Sequence, residues 1–485
     1  MSDWPDDKPR EACGIFGVYA PGEDVARITF FGLYALQHRG QESAGIASSD
    51  GGRIRVTTGM GLVSHVFDEE ALGHMAGDMA VGHTRYSTTG SSLLGNAQPF
   101  VVKGHLGELT LAHNGNVVNA EYLQQELRGL GCVFQSSTDS EVIAHLIANA
   151  PGRDWVEKIQ QVIPRLEGAY SLVLMTKDAL IGVRDPLGVR PLCLGKLNGG
   201  WVLASETCAL DHLGADFVRE VEPGEVVYID SKGVESHCNR EPENRAFCIF
   251  EYIYFARPDS VLNSRLLYRA RERMGERLAD EHPVDADLVI ATPDSAVPAS
   301  IGYARRSGIP YSEGLIKNRY VGRTFIQPDQ RIRDLGVKIK FNPMREVIEG
   351  QRLVVVDDSI VRGTTTPWVI AMLKKAGAKE VHMRISSPPI RHPCFFGIDM
   401  ATRRELIAAH LSVGEIAERI GATSLGYLSL NGLIEAIGSP KAGFCTACLT
   451  GEYPIPVQLE MDKLSLAYQA DEGWVGGAGH GPRTR

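Results

Sequence analysis

Long apolar runs are missing from this chain: none of its 485 residues falls in a stretch approaching the roughly 18 apolar residues that a bilayer-spanning helix needs. The opening MSDWPDDKPREACG also lacks the basic and apolar regions of a secretory signal, so a soluble, cytoplasmic protein is expected. Cysteine is scarce as well. Nine thiols, an odd number, are too few for a disulfide scaffold, and their roles are to be sought in catalysis or metal binding. Positive charge is in deficit, with 50 Lys+Arg against 59 Asp+Glu and a net charge of -9. That field favours neither nucleic acid nor an anionic membrane, so any phosphate ligand must be held by local chemistry. What is present is an ordinary globular composition, 44% hydrophobic and 22% charged, in a chain long enough for two large domains or three smaller ones.

The first half reads as short strand candidates between Gly and Pro turns: Gly14 to Tyr19, Ser171 to Met175, Trp201 to Ala204 and Glu225 to Ile229. Helical periodicity is clearest at Val25 to Gln37, Ala120 to Arg128 and Ser140 to Ala148, which predicts an α+β layered domain. The polar stretch Asp230 to Arg245 reads as a boundary. Beyond it strands and helices alternate: Leu288 to Ala291, Ala296 to Arg306, Leu353 to Val356, Trp368 to Ala376 and Val381 to Ser386. This is the pattern of βαβ units on a parallel sheet. The Gly-rich end reads as a mobile tail.

Cys13 heads the run CGIFGVY, which leads it straight into a buried strand. A lone cysteine is usually a small buried hydrophobe. Here, however, residues 1–12 are polar and patternless, and their removal would make Cys13 the first residue. Its α-amino group, titrating near ~7.7–8.0, would then take the thiol proton. A Cys/His dyad with His38 or His83 is the alternative. Three polar clusters follow, HTRYSTTG, AHNGN and SSTDSE. Within them Arg85 is suited to grip a carboxylate, Asp139 to pair with an ammonium, and the Asn114 amide with the Gly115 N–H to form an oxyanion hole. Taken singly, Asn114-Gly115 reads as a hairpin turn and Asp139 as the N-cap of a helix starting at Ser140. Together, CGIFG, QHRGQES, GHTRYST, HNGN and TDSE resemble the glutaminase domain of the class II, N-terminal-nucleophile glutamine amidotransferases. The resemblance implies an αββα sandwich, with Cys13 as nucleophile, Arg85 and Asp139 binding glutamine, and Asn114 with Gly115 stabilising the oxyanion.

RLVVVDDSIVRGTT places a hydrophobic strand before two carboxylates, a small-residue loop and a helix, with Thr366 as N-cap and Pro367 as first helical residue. Ligands of parallel sheets lie at strand carboxyl ends, so the loop of Ser359, Arg362, Gly363, Thr364 and Thr365 is suited to a monophosphate. Gly363 would allow close backbone approach. Asp357 and Asp358 would reach ribose hydroxyls or magnesium; the other reading is a surface turn with solvated acids. The string resembles the signature of type I phosphoribosyltransferases, an α/β fold. That resemblance makes Ser295 of TPDSA a magnesium ligand beside Asp357 and Asp358. It also makes GLIKNRYVGRTF, with Lys317, Arg319 and Arg323, the loop that closes over diphosphate; a solvated basic face is the alternative.

FCTAC sets Cys445 and Cys448 at C-x2-C spacing, and Cys248 and Cys394 would complete a four-thiolate site that suits zinc or iron–sulfur equally. The two halves together resemble the family that joins a class II glutaminase to a type I phosphoribosyltransferase. One branch of it carries a 4Fe-4S cluster on cysteines in these contexts. The resemblance implies a division into a propeptide at 1–12, a glutaminase domain at 13–240, a phosphoribosyltransferase domain at 241–465 and a tail at 466–485. It further implies that glutamine and phosphoribosyl diphosphate are the substrates, giving phosphoribosylamine, glutamate and diphosphate at the start of purine synthesis. AMP and GMP are the expected inhibitors and a homotetramer the expected assembly. A sugar-phosphate aminating enzyme would share only the first half, and a purine-responsive regulator only the second.

Overall fold

The computed structural model describes residues 13–86, 92–238, 245–318, 341–400, 402–438 and 443–457. Among them the chain forms two compact units. Residues 13–238 make the first, joined by the short segment 395–400, and residues 245–394 and 402–456 make the second. No helix among the described residues is long and apolar enough to cross a membrane.

Two antiparallel sheets form the first unit. In the seven-stranded sheet Gly14–Tyr19 lies between Gly200–Ala204 and Met79–Arg85, with Gly14 opposite Thr84 and Ile15 opposite His83. In the six-stranded sheet Gly107–Val117 pairs with Gly168–Met175, Asn114 opposite Ser171. The two-residue period of each strand sorts its side chains between layers. Phe16 and Val18 pack with helices Val25–Ala35 and Thr207–Leu213, while Ile15 turns to the opposite face. There it meets Val173 and Met175 of the other sheet, whose Leu172 and Leu174 pack outward on helices Ala120–Gly129 and Asp139–Asn149. The result is the αββα sandwich.

The first helix stops at Ala35 rather than the expected Gln37, because the Gln37 amide turns back to bind the Gly40 carbonyl and the Val63 N–H. Asn114 and Gly115 are no turn: they lie inside a long strand. Thr138, not Asp139, is the cap residue, and Asp139 opens the helix.

Four parallel strands carry the second unit, in the order Leu288–Ala291, Arg352–Asp357, Glu380–Ile385, Ser424–Tyr427. A parallel sheet is covered on both faces, which is why LVVV is uniformly apolar. Leu353 and Val355 join Ile290, Met383 and Leu373 in its core. The helix after the second strand spans Thr366–Lys375, one residue earlier than expected, with Thr365 at the cap. Either of the first two helical positions suits Pro367, since neither N–H has a partner within the helix.

Candidate active sites

Cys13 stands just before strand Gly14–Tyr19, 7% exposed, its thiol 3.5 Å from the Tyr86 carbonyl. Burial pushes the thiol up from its ordinary value, opposed in part by the Arg85 charge, while the charges of Glu42 and Asp139 push in the same direction as burial. The structure thus gathers Cys13, Arg85 and Asp139 into one electrostatic neighbourhood. It does not form the Cys/His dyad. Among the described residues no imidazole bonds the Cys13 thiol: His38 Nε2 lies 2.7 Å from Glu206, and His83 Nε2 donates to the His113 carbonyl at 3.0 Å. His83 is moreover held neutral, its pKa lowered to about 3 by burial. With residues 1–12 attached the Cys13 nitrogen is an amide and cannot take a proton.

Asn114 is fully buried, and neither its amide nitrogen nor its oxygen has a hydrogen-bond partner. An unsatisfied buried amide is expensive, of order 1–3 kcal/mol, and a ligand or a water that completes it recovers that cost. Beside it Gly115 has φ of +149°, and a Cβ there would lie 1.9 Å from the Ala169 carbonyl oxygen. Only glycine fits. Asp139 accepts the Val117 N–H at 2.9 Å and lies 3.7 Å from His113 Nδ1. Burial alone would raise its carboxyl, but the His113 ring, the Val117 N–H and Ser140 outweigh it and hold the group below its ordinary value. It is therefore a stable anion. The Arg85 guanidinium, suited to grip a carboxylate, is paired with that of Glu42.

Sequence reasoning also missed a buried support. Arg39, wholly buried, donates from Nε to the Cys13 carbonyl at 3.2 Å and pairs through Nη1 with Glu206, which is equally buried. QHRGQES holds Arg39, but nothing near it points to Glu206, 167 residues away.

In the second unit, two strand-end loops meet. Ser295 Oγ donates to Asp358, as does Ser359 Oγ at 2.7 Å, and Asp357 accepts the Asp358 N–H at 2.9 Å. Both acids are buried, so the solvated-acid reading fails. Lys317, on Leu315–Lys317, lies 2.9 Å from Asp294 of the TPDSA loop. Arg319 and Arg323 lie outside the described residues. Arg362 is paired with Glu405 at 2.7 Å, Thr364 is exposed and Thr365 half-buried. Gly363 has φ of +68°, and a Cβ there would sit 2.4 Å from Ile407 Cδ1, so this position of the loop is tight against that side chain.

Cys248 pairs in register with Cys445 on two short parallel strands, and burial, then the charges of Cys394, Cys445 and Cys248, push the Cys448 thiol up. The donor set has the soft chemistry of a zinc or iron–sulfur site. Among the described residues, though, no three or more His, Cys, Asp or Glu are already gathered around one ion position, so these four thiols are neighbours and not a closed single-ion site.

Comparison with known proteins bears on both units. A family model described as a glutamine amidotransferase domain matches residues 83–212. The amidophosphoribosyltransferase of Synechocystis sp. is 57% identical over 93% of this chain and 92% of its own length. That of Synechococcus elongatus is 54% identical over 95% of each. A solved structure of the B. subtilis glutamine phosphoribosylpyrophosphate amidotransferase, complexed with ADP and GMP, matches with a TM-score of 0.88. It is 47% identical over 93% of this chain and 99% of that one.

Proposed function

The chain belongs to the amidophosphoribosyltransferase family, glutamine-dependent pentosyltransferases of the first step of purine biosynthesis, and from that membership we propose how its residues divide the reaction. Once residues 1–12 are removed, the Cys13 α-amino group takes the thiol proton and the thiolate attacks the glutamine amide carbon. Asn114 Nδ2 and the Gly115 N–H stabilise the oxyanion. Ammonia leaves, and water hydrolyses the thioester to glutamate. Asp139 binds the substrate ammonium, and Arg85, shared with Glu42, its carboxylate. The observation that carries this half is the buried Asn114 amide with no partner of its own.

Ammonia then attacks the anomeric carbon of phosphoribosyl diphosphate and diphosphate departs. The loop of Ser359, Arg362, Gly363, Thr364 and Thr365 cradles the monophosphate, and Lys317, Arg319 and Arg323 cover the diphosphate. Asp357, Asp358 and Ser295, two carboxylates and a hydroxyl gathered at strand ends, would hold magnesium, which when bound offsets the charge of the leaving group. Cys248, Cys394, Cys445 and Cys448 would hold a 4Fe-4S cluster; with no redox step in the reaction, its role is to cross-link the fold. We place AMP and GMP as inhibitors, in line with the ADP and GMP in the B. subtilis complex, and a cytoplasmic homotetramer as the working form.

The test is to incubate purified protein with glutamine, phosphoribosyl diphosphate and magnesium and to follow glutamate and diphosphate together. Equal amounts are expected; glutamate alone would overturn the assignment of the second site. Anaerobic metal analysis should find about four irons per chain, and one zinc without iron would replace the cluster with a structural zinc.

A further inference from the structure

We infer that residues 395–398 form a strap that positions the oxyanion donors of the glutaminase site, with Gly397 its critical member. The inference rests on the reading of Asn114 and Gly115 given above. Their strand carries Asn114, Gly115 and Asn116 in succession, and the strap is bound to it and to its neighbour. Asn116 Nδ2 donates to the Phe395 carbonyl at 2.8 Å. Arg190, wholly buried, donates from Nε and Nη2 to the Phe396 carbonyl at 3.1 and 2.7 Å. The Arg190 carbonyl in turn accepts from Ser171 Oγ at 3.2 Å, and Ser171 is the register partner of Asn114.

At Gly397 the strap touches the donor residue itself. A Cβ on Gly397, whose φ is +96°, would lie 2.8 Å from the Gly115 carbonyl carbon, 2.9 Å from its oxygen and 3.0 Å from its Cα. A Cβ on Gly115 would in turn meet the backbone of Ala169 and Tyr170. Gly115 is therefore packed against two other stretches of backbone, without a side chain on either contact to yield. An oxyanion donor is effective only when its hydrogen meets the developing charge at about 2.7–3.1 Å, so the orientation of the peptide planes around Gly115 decides its use. Gly397 touches no substrate in this scheme; it acts through Gly115.

Gly397→Ala tests this. The added methyl must displace Gly115 or the strap, and misplacement on the scale of an ångström lowers rates by up to about 100-fold. The glutamine-dependent kcat is expected to fall by about 10- to 100-fold, with the KM for glutamine and ammonia-dependent synthesis both within about twofold. An unchanged kcat overturns the inference. If both activities fall together, Arg190→Lys decides, because it weakens the grip on Phe396 without adding bulk. A several-fold loss of kcat confined to glutamine then supports the strap, and any other result overturns it. Asn114→Ala, measured alongside, separates the two claims. If that variant keeps full glutamine-dependent kcat, the oxyanion assignment itself is wrong and the strap falls with it.

Discussion

The two candidate sites are built from opposite parts of their sheets. In the first unit the chemistry sits on paired strands and a helix start: Arg85, Asn114 and Asp139 are at most 5% exposed, on backbone fixed by a ladder or a helix. In the second it sits where parallel strands end, with Thr364 exposed and Lys317 and Arg362 facing solvent in part. The contrast follows from what each step demands. Acyl transfer needs donors fixed in advance around a small developing charge, which a buried ladder provides. Releasing a diphosphate needs a site that closes around a polyanion and opens again, which loops provide and strand interiors do not.

The sharpest way to break that comparison is Cys13→Ala. If the two chemistries are separate, glutamine-dependent synthesis falls by on the order of 10,000-fold or more, and synthesis from ammonia stays within about twofold. Equal loss of both, measured as diphosphate release, would mean one shared site. Asp358→Asn sharpens the other half: both syntheses are expected to drop on the order of 100-fold, although the substitution reduces repulsion of the polyanion. Labelling of Cys13 by an electrophilic glutamine analogue should persist. Tighter substrate binding with synthesis unchanged would return the acid pair to an incidental role.

The smallest effect concerns the burial that distinguishes the first site. His83 titrates at about 3 in the folded chain against an ordinary 6.5, so below pH 6.5 the unfolded chain takes up a proton that the folded one refuses. Stability is complete above that pH and is lost as pH falls towards 3. By pH 5 the loss from this ring is about 2 kcal/mol. His83→Gln, whose amide reaches the Nε2 position and keeps a donor for the His113 carbonyl, should remove most of that acid sensitivity from the urea transition of the first unit. An unaltered pH slope would show that the ring is not held neutral.

Much of this architecture was legible from residue patterns, and for identifiable reasons. Strands such as Gly14–Tyr19 and Leu288–Ala291 are short apolar runs bounded by turn residues, and the helices around them keep their period to within a residue or two. Asn114-Gly115 is where local chemistry misleads: a pair typical of turns is forced into a strand by eleven residues of ladder. Contacts between distant residues left no local trace. Glu42, the partner of Arg85, lies 43 residues away, and the Asn116 bond to Phe395 spans 279. Arg362 reads as a phosphate ligand, and its partner Glu405, 43 residues on, closes the short helix Arg403–Glu405. Residue type announced the chemistry, and three-dimensional proximity supplied the supports.

The strap has a further consequence in time. Residues 13–238 emerge from the ribosome without segment 395–400, which belongs to the same compact unit but follows about 150 residues later. At synthesis rates of about 5–20 residues per second, that interval lasts roughly 8 to 30 seconds. During it the nascent first unit would carry unfilled hydrogen-bond positions at Asn116 and Arg190, beside the strand that bears Asn114. A gene fragment ending near residue 238 would stay in that condition permanently, so a glutaminase half made alone is expected to need the later peptide supplied in trans.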